Sequence, residues 1–228
     1  MSLAVTESFV RMYEKGLIYR ATRLVNWSCS LRTALSDLEV EYIELDGPKR
    51  MPVPGHDPNK KYEFGTLTHF TYKVKGTDET IEVATTRLET MLGDVAVAVH
   101  PNDARYKHLH GKEIEHPFIK DRKMIVITDD ILVNMEFGTG AVKITPAHDH
   151  NDYQCGLRHK LRQINIFDEN GKINENGGDF AGMPRFDARV EVYKALEKMG
   201  HIKGKTPNPM RLGICGKTKD IIEPYLKP

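Results

Sequence analysis

From residue 69 to residue 145 the chain alternates apolar and polar side chains in stretches too short to be helices. Over 69–75, Phe70, Tyr72 and Val74 alternate with Thr71, Lys73 and Lys75, and further strand-like runs follow over 82–86, 95–99, 124–128 and 141–145. A period of two puts successive side chains on opposite faces of a pleated strand. Many short strands, each with one apolar face and turn residues between them, must curl to bury those faces. This predicts an α+β chain built on a curved, barrel-like sheet, with a few flanking helices.

Three stretches carry the helical period instead. Phe9, Tyr13 and Leu17 predict a helix over 6–20, with Thr6 as its cap and a fray at Gly16. A second helix should begin near Asp149. A third is expected over 187–199, where Ala188, Val192, Ala195, Leu196 and Met199 share a face before the stop at Gly200. Prolines 48, 52, 54 and 58 mark 47–61 as a loop and a boundary. Short strands are expected at WSCSL (27–31) and VEYIEL (40–45), and the tail should fold back onto this N-terminal part. The expected division is a lead-in over 1–50, a core over 51–202 and a return segment over 203–228, with both chain ends sharing one small unit.

Lys+Arg and Asp+Glu nearly cancel, at 33 against 32. The basic excess of a dedicated nucleic-acid binder is absent, so nucleic acid would be met through a local patch. Three scattered cysteines, Cys29, Cys155 and Cys215, form no CxxC pair, which fits a reducing, cytoplasmic setting and suggests neither a zinc knuckle nor a disulfide framework. No apolar run approaches a membrane span. Met1-Ser2-Leu3 opens no signal peptide, and the chain reads as an excised piece of something larger.

Two segments gather reactive side chains. In 141–145, Val142 and Ile144 face one way and Lys143 and Thr145 the other. Pro146 ends the strand, and HDHND opens a helix with Asp149 as a good N-cap and Asp152 on the same side. In ATTR (84–87), Thr85 and Arg87 share a face, with Thr86 between them. A cation, hydroxyls and two carboxylates at a strand-to-helix turn can build a polar pocket. Periodicity alone also fits half-exposed strands, a capped helix and an Arg87 paired with a surface acid. His148 is a possible acid or base, and Cys155 reads as a buried structural thiol. There is no GxxxxGK[ST], GxSxG or HExxH motif.

ATTRLETMLGDVAVAVHP and FGTGAVKITPAHDHNDYQCG resemble the editing domain inserted in class I synthetases for branched aliphatic amino acids, and the combination looks valyl, of eukaryotic type. LVNWSCSLRTALSDLEVEY, INENGGDFAGMPRFDAR and KDIIEPYLKP extend the resemblance over nearly the whole chain. Leu88 and His150 stand where the family often has proline. HIGH and KMSKS are absent, so the resemblance implies a piece that neither binds ATP nor charges tRNA. It implies hydrolysis of the ester of a valine-specific tRNA mischarged with threonine, with that tRNA and the remainder of a synthetase as partners and no cofactor or metal. Valyl synthetases are the standard example of why such a step is needed: an apolar pocket rejects an added hydroxyl poorly. By resemblance Asp152 holds the substrate's α-ammonium group, and Lys143 and Asp149 take part in the chemistry. Thr85, Thr86, Arg87, Phe137, Thr145 and His148 are expected to line the pocket. The alternatives are an isoleucyl-type editor that removes valine and a tRNA-docking module without catalysis.

Overall fold

The computed structural model describes residues 1–228. Helix α1 (Ser2–Glu14) leads into strands β1 (Arg23–Ser28), β2 (Thr33–Leu35), β3 (Val40–Leu45), β4 (Lys49–Met51) and β5 (Tyr62–Phe64). The core strands are β6 (Thr66–Val74), β7 (Thr80–Thr85), β8 (Ala96–Val99), β9 (Glu113–Glu115), β10 (Lys123–Thr128) and β11 (Ala141–Ile144). Then come α2 (His150–Arg158), α3 (Arg185–Lys198), β12 (Ile202–Pro207), β13 (Met210–Cys215) and β14 (Glu223–Lys227). No helix is long and apolar enough to cross a membrane.

Seven strands form one mixed sheet in the order β11-β8-β10-β9-β6-β12, with β7 on the other edge of β6. Only β8 and β10 run parallel, from Ile125↔Ala96 to Thr128↔Val99. The sheet curls until β11 lies against β7, which nearly closes a barrel. Its interior holds Phe70, Tyr72 and Val74 of β6, as the alternation predicts, with Ile81, Val83, Val97, Val99 and Val126. One side is plugged by Ala188, Val192 and Leu196 of α3 and by the turn carrying Leu88, Met91 and Leu92. Strand β8 is buried along its whole length. Its valines face the barrel, and Ala96 and Ala98 face outward against Ile144 and Cys155 in a second cluster. Small side chains on that outer face leave room for α2 to lie close.

Beside the barrel, the C-terminal strands pair with strands from the N-terminal part of the chain. Strand β14 pairs antiparallel with β1, from Arg23↔Lys227 to Trp27↔Glu223, and β13 pairs with β3. Trp27 stacks on Tyr225 with ring centroids 5.3 Å apart. The buried Asp220 carboxylate accepts from Ser28 Oγ and from the Ser30 N–H, both at 3.2 Å.

Several elements differ from the sequence reading. Helix α1 starts at Ser2 rather than Thr6 and ends before Gly16, which takes φ +69°. That left-handed turn stops the helix, so Leu17 lies outside it. The expected loop over 47–61 contains β4, which pairs with β5 as a hairpin. Strand β12 pairs with β6, so residues 203–207 belong to the barrel sheet rather than to the return segment. Helix α3 begins at Arg185, two residues early, directly behind Pro184, whose fixed φ suits a helix entry.

Candidate functional site

The ends of β7 and β11 and the start of α2 meet around a cavity of about 340 Å³. Thr85, Thr86, Arg87, Lys143, His148, Asp149 and Asp152 line it, with Phe137 at its rim. Curling of the barrel brings these two distant segments together, since β11 returns against β7.

Asp149 is the N-cap of α2, and its Oδ1 accepts the N–H groups of Asn151 (2.8 Å) and Asp152 (3.0 Å). Asp152 is buried in the first turn. One carboxylate oxygen accepts the Thr145 N–H at 2.8 Å, and the other has no protein donor. Burial, followed by the charge of Asp149, pushes its acid up to about 7, against the opposing pull of Lys143 and the Thr145 N–H. The site therefore holds a desolvated carboxylate that lacks a cation in direct contact.

Lys143 is buried, and its ammonium donates to Asp94 Oδ1 at 3.0 Å and to Thr145 Oγ1. Thr145 Oγ1 donates to the same Asp94 oxygen, and the Tyr72 hydroxyl donates to the other at 2.7 Å. Lys143 and Thr145 do share a face, and Asp94, itself bonded to Tyr72, satisfies that face from within the protein. Thr145 consequently sits beneath the cavity, where its N–H, not its hydroxyl, reaches Asp152. An ammonium has three donors. Two are used here, and the third is available to a molecule in the cavity.

Arg87 and His148 line the cavity, and both are held there by protein partners. Arg87 places one terminal nitrogen on both oxygens of Glu223 (2.6 Å each) and the other on the His148 carbonyl (2.9 Å). Its Nε lies 3.6 Å from Glu89. Its pairing partners are buried acids, so most of its donors are already engaged by protein. The His148 ring is fully buried. Its Nε2 accepts the Ile166 N–H at 3.0 Å, which puts the proton of the neutral ring on Nδ1, 3.5 Å from Glu223. Burial lowers its basicity, against the pull of Glu223. Both ring nitrogens face protein, so His148 is no free acid or base, and it borders the cavity as a structural turn residue.

Thr85 Oγ1 accepts the Arg87 N–H at 3.0 Å and so folds the end of β7, leaving Thr86 on the cavity wall. Phe137 is exposed in the loop before β11. Asp94, Glu89 and Glu223 were not singled out from sequence, although the first two lie in the ETMLGD run and Glu223 lies in the KDIIEPYLKP segment. Asn151 and Asn208 also line the cavity without having been anticipated. A larger cavity of about 460 Å³ adjoins at Thr86. Two of its charged walls are already paired, Lys205 with Glu63 and Arg189 with Glu89.

Outside the cavity, ligand atoms of Asp129, Cys155 and His159 lie within 4.8 Å of one another. Arg158 donates to the same Asp129 oxygen at 2.7 Å, so a cation there would face a fixed positive charge. Burial and Asp129 push the Cys155 thiol up to about 12, consistent with an inert structural role.

The chain is thus a barrel-like α+β fold whose polar cavity joins the ATTR and KITPAHDHND segments. Residues 1–205 match the model of the tRNA synthetases class I (I, L, M and V), and the chain belongs to that family. It is 60% identical over its whole length to the mitochondrial valine–tRNA ligase 1 of Arabidopsis thaliana, of which it covers 20%. Against the valine–tRNA ligases of Schizosaccharomyces pombe and Homo sapiens, identity is 58% and 54% over 100% of the chain, and coverage of those proteins is 23% and 18%. The chain thus spans about a fifth of the length of these relatives. Among solved structures, it is similar to a LeuRS from Agrobacterium radiobacter in a ternary complex with tRNA and LeuAMS. That match has TM-score 0.48 and 15% identity, and it covers 95% of this chain and 32% of the other.

Proposed function

We propose that this chain is the editing part of a valyl-type synthetase and hydrolyses the ester of threonine wrongly attached to valine-specific tRNA. The observation that carries the reading is Asp152, a buried carboxylate with one oxygen free of protein donors, at the wall of a cavity large enough for an aminoacyl group. An α-ammonium group is the natural complement of such a carboxylate, and binding it would hold the acid ionised. The free donor of Lys143 then reaches either the threonine hydroxyl or the oxyanion formed as water attacks the ester carbonyl. Valine would leave a donor turned toward threonine's hydroxyl unpaired, which penalises the correct amino acid in this site. An aminoacyl ester is already activated, so holding the carbonyl beside a positioned water accounts for much of the rate. The tRNA 3′ end and the remainder of a synthetase are the implied partners.

The test is deacylation of threonyl-tRNA specific for valine, run with the chain and with the longer synthetase that contains it. Asp152→Ala should lose hydrolysis while the longer enzyme still activates valine. Undiminished hydrolysis by that variant overturns the assignment. Hydrolysis of valyl-tRNA specific for isoleucine, with threonyl-tRNA spared, would favour the isoleucyl-type reading.

A further inference from the structure

We infer that Glu223 is a positioning residue of this cavity: by clamping Arg87 against the His148 carbonyl, it sets the turn that presents Asp149 and Asp152. The catalytic part of the inference rests on the editing role proposed above, whereas the mechanical part stands on geometry alone. Glu223 is fully buried, lies on β14 and does not line the cavity. Its two oxygens receive Arg87 at 2.6 Å and Arg185 at 2.7 Å, and His148 Nδ1 faces it at 3.5 Å. A strand 136 residues away in sequence from Arg87 therefore fixes that guanidinium.

The chain of contacts from Glu223 to the cavity is short. Arg87, with one terminal nitrogen on Glu223, donates from the other to the carbonyl of His148, the residue directly before the α2 cap. The next residue, Asp149, holds the N–H groups of Asn151 and Asp152. Fixing the carbonyl of 148 thus fixes the peptide plane that enters the cap, and with it the direction of the Asp152 carboxylate. His148 is tied a second time through Nε2 to Ile166, so the turn is gripped on both sides. A planar guanidinium with one arm on Glu223 and the other on the His148 carbonyl fixes orientation as well as distance, which a lysine in the same place would not do.

The experiment uses the full chain with Glu223→Gln, which keeps the side-chain volume and removes the charge. Deacylation of threonyl-tRNA specific for valine is measured for kcat and KM separately, together with amide exchange across the chain. The expected result is a kcat/KM about a hundredfold lower, with part of the loss in KM, because the misplaced group is the Asp152 carboxylate proposed to hold the α-ammonium. Exchange at Asn151 and Asp152 should rise about tenfold more than at the barrel amides of Val97 and Val126, because the loosening is local. An unchanged kcat/KM, or exchange at 151 and 152 that rises only in step with the barrel, overturns the inference. Arg87→Lys keeps the charge and loses the fork. It should show the same pattern, and it carries the test if the Glu223 variant does not fold. If neither the unaltered chain nor the longer synthetase that contains it hydrolyses threonyl-tRNA, the editing role fails, and the exchange comparison still decides the positioning role.

Discussion

Replacing Asp152 by asparagine should stop hydrolysis and at the same time make the chain more stable at neutral and alkaline pH. In the folded chain this acid titrates at about 7, against 3.8 for an ordinary aspartate. Between those values the folded state keeps a proton that the unfolded state has released. The native advantage is therefore complete below 3.8 and falls until about 7. Each pH unit in that interval costs about 1.4 kcal/mol, which amounts to about 4 kcal/mol in full and about 2 kcal/mol if water entering the cavity relieves half of it. Asparagine does not titrate, and its side-chain oxygen can still accept the Thr145 N–H. The stability difference between variant and parent should thus grow from near zero at about pH 4 to about 2–4 kcal/mol above about pH 7. Urea unfolding of both chains across that range measures it directly. A difference that stays constant with pH would refute the reasoning, because Asp152 would then not be ionising at a cost to the fold.

Asp94→Asn leaves the buried Lys143 ammonium without its carboxylate and should cost about 3–5 kcal/mol of unfolding free energy, read from the shift of the urea midpoint. Burial lowers His116 to about 4, against the opposing pull of its bond to the Met91 carbonyl, from an ordinary 6.5. The unfolded chain then binds the extra proton between these values, so His116 contributes stability above 6.5 that is lost as pH falls toward 4. His116→Gln should flatten that acid limb in a pH series of thermal melts. Phe70→Ala removes a ring from the centre of the barrel and should cost about 3–5 kcal/mol by chemical denaturation, without changing the cavity's lining.

The barrel was legible because its strands obey a rule that is local in sequence. Phe70, Tyr72 and Val74 alternate with polar residues whatever they pair with, and the α3 stripe needs only its own period. Residues that bring the two motifs to one cavity could also be named, since each sits at a strand end where the alternation breaks. The partners could not be read in this way. Lys143 looks like a half-exposed lysine until the curled sheet sets Asp94 and Tyr72 beneath it. Arg87 looks free until β14 delivers Glu223. Ion pairs spanning 49 and 136 residues are properties of topology, and no periodicity in the segments themselves records them. Strand β12 was assigned to the tail for a related reason. Its Lys-, Gly- and Pro-containing sequence suits an edge strand, and edge strands carry a weak pattern.

The pairing of β1 with β14 gives the molecule a particular response to force. Arg23 and Lys227 stand opposite each other at one end of that ladder, so tension applied through them acts across the strands rather than along them. The hydrogen bonds of an antiparallel pair lie perpendicular to the strands. A pull in that direction loads them one after another, as in unzipping, and the ladder opens from Arg23 toward Trp27. The last pair to part is Trp27 with Glu223. A modest tug would therefore spend itself on four rungs of ladder before it disturbed the carboxylate that grips Arg87.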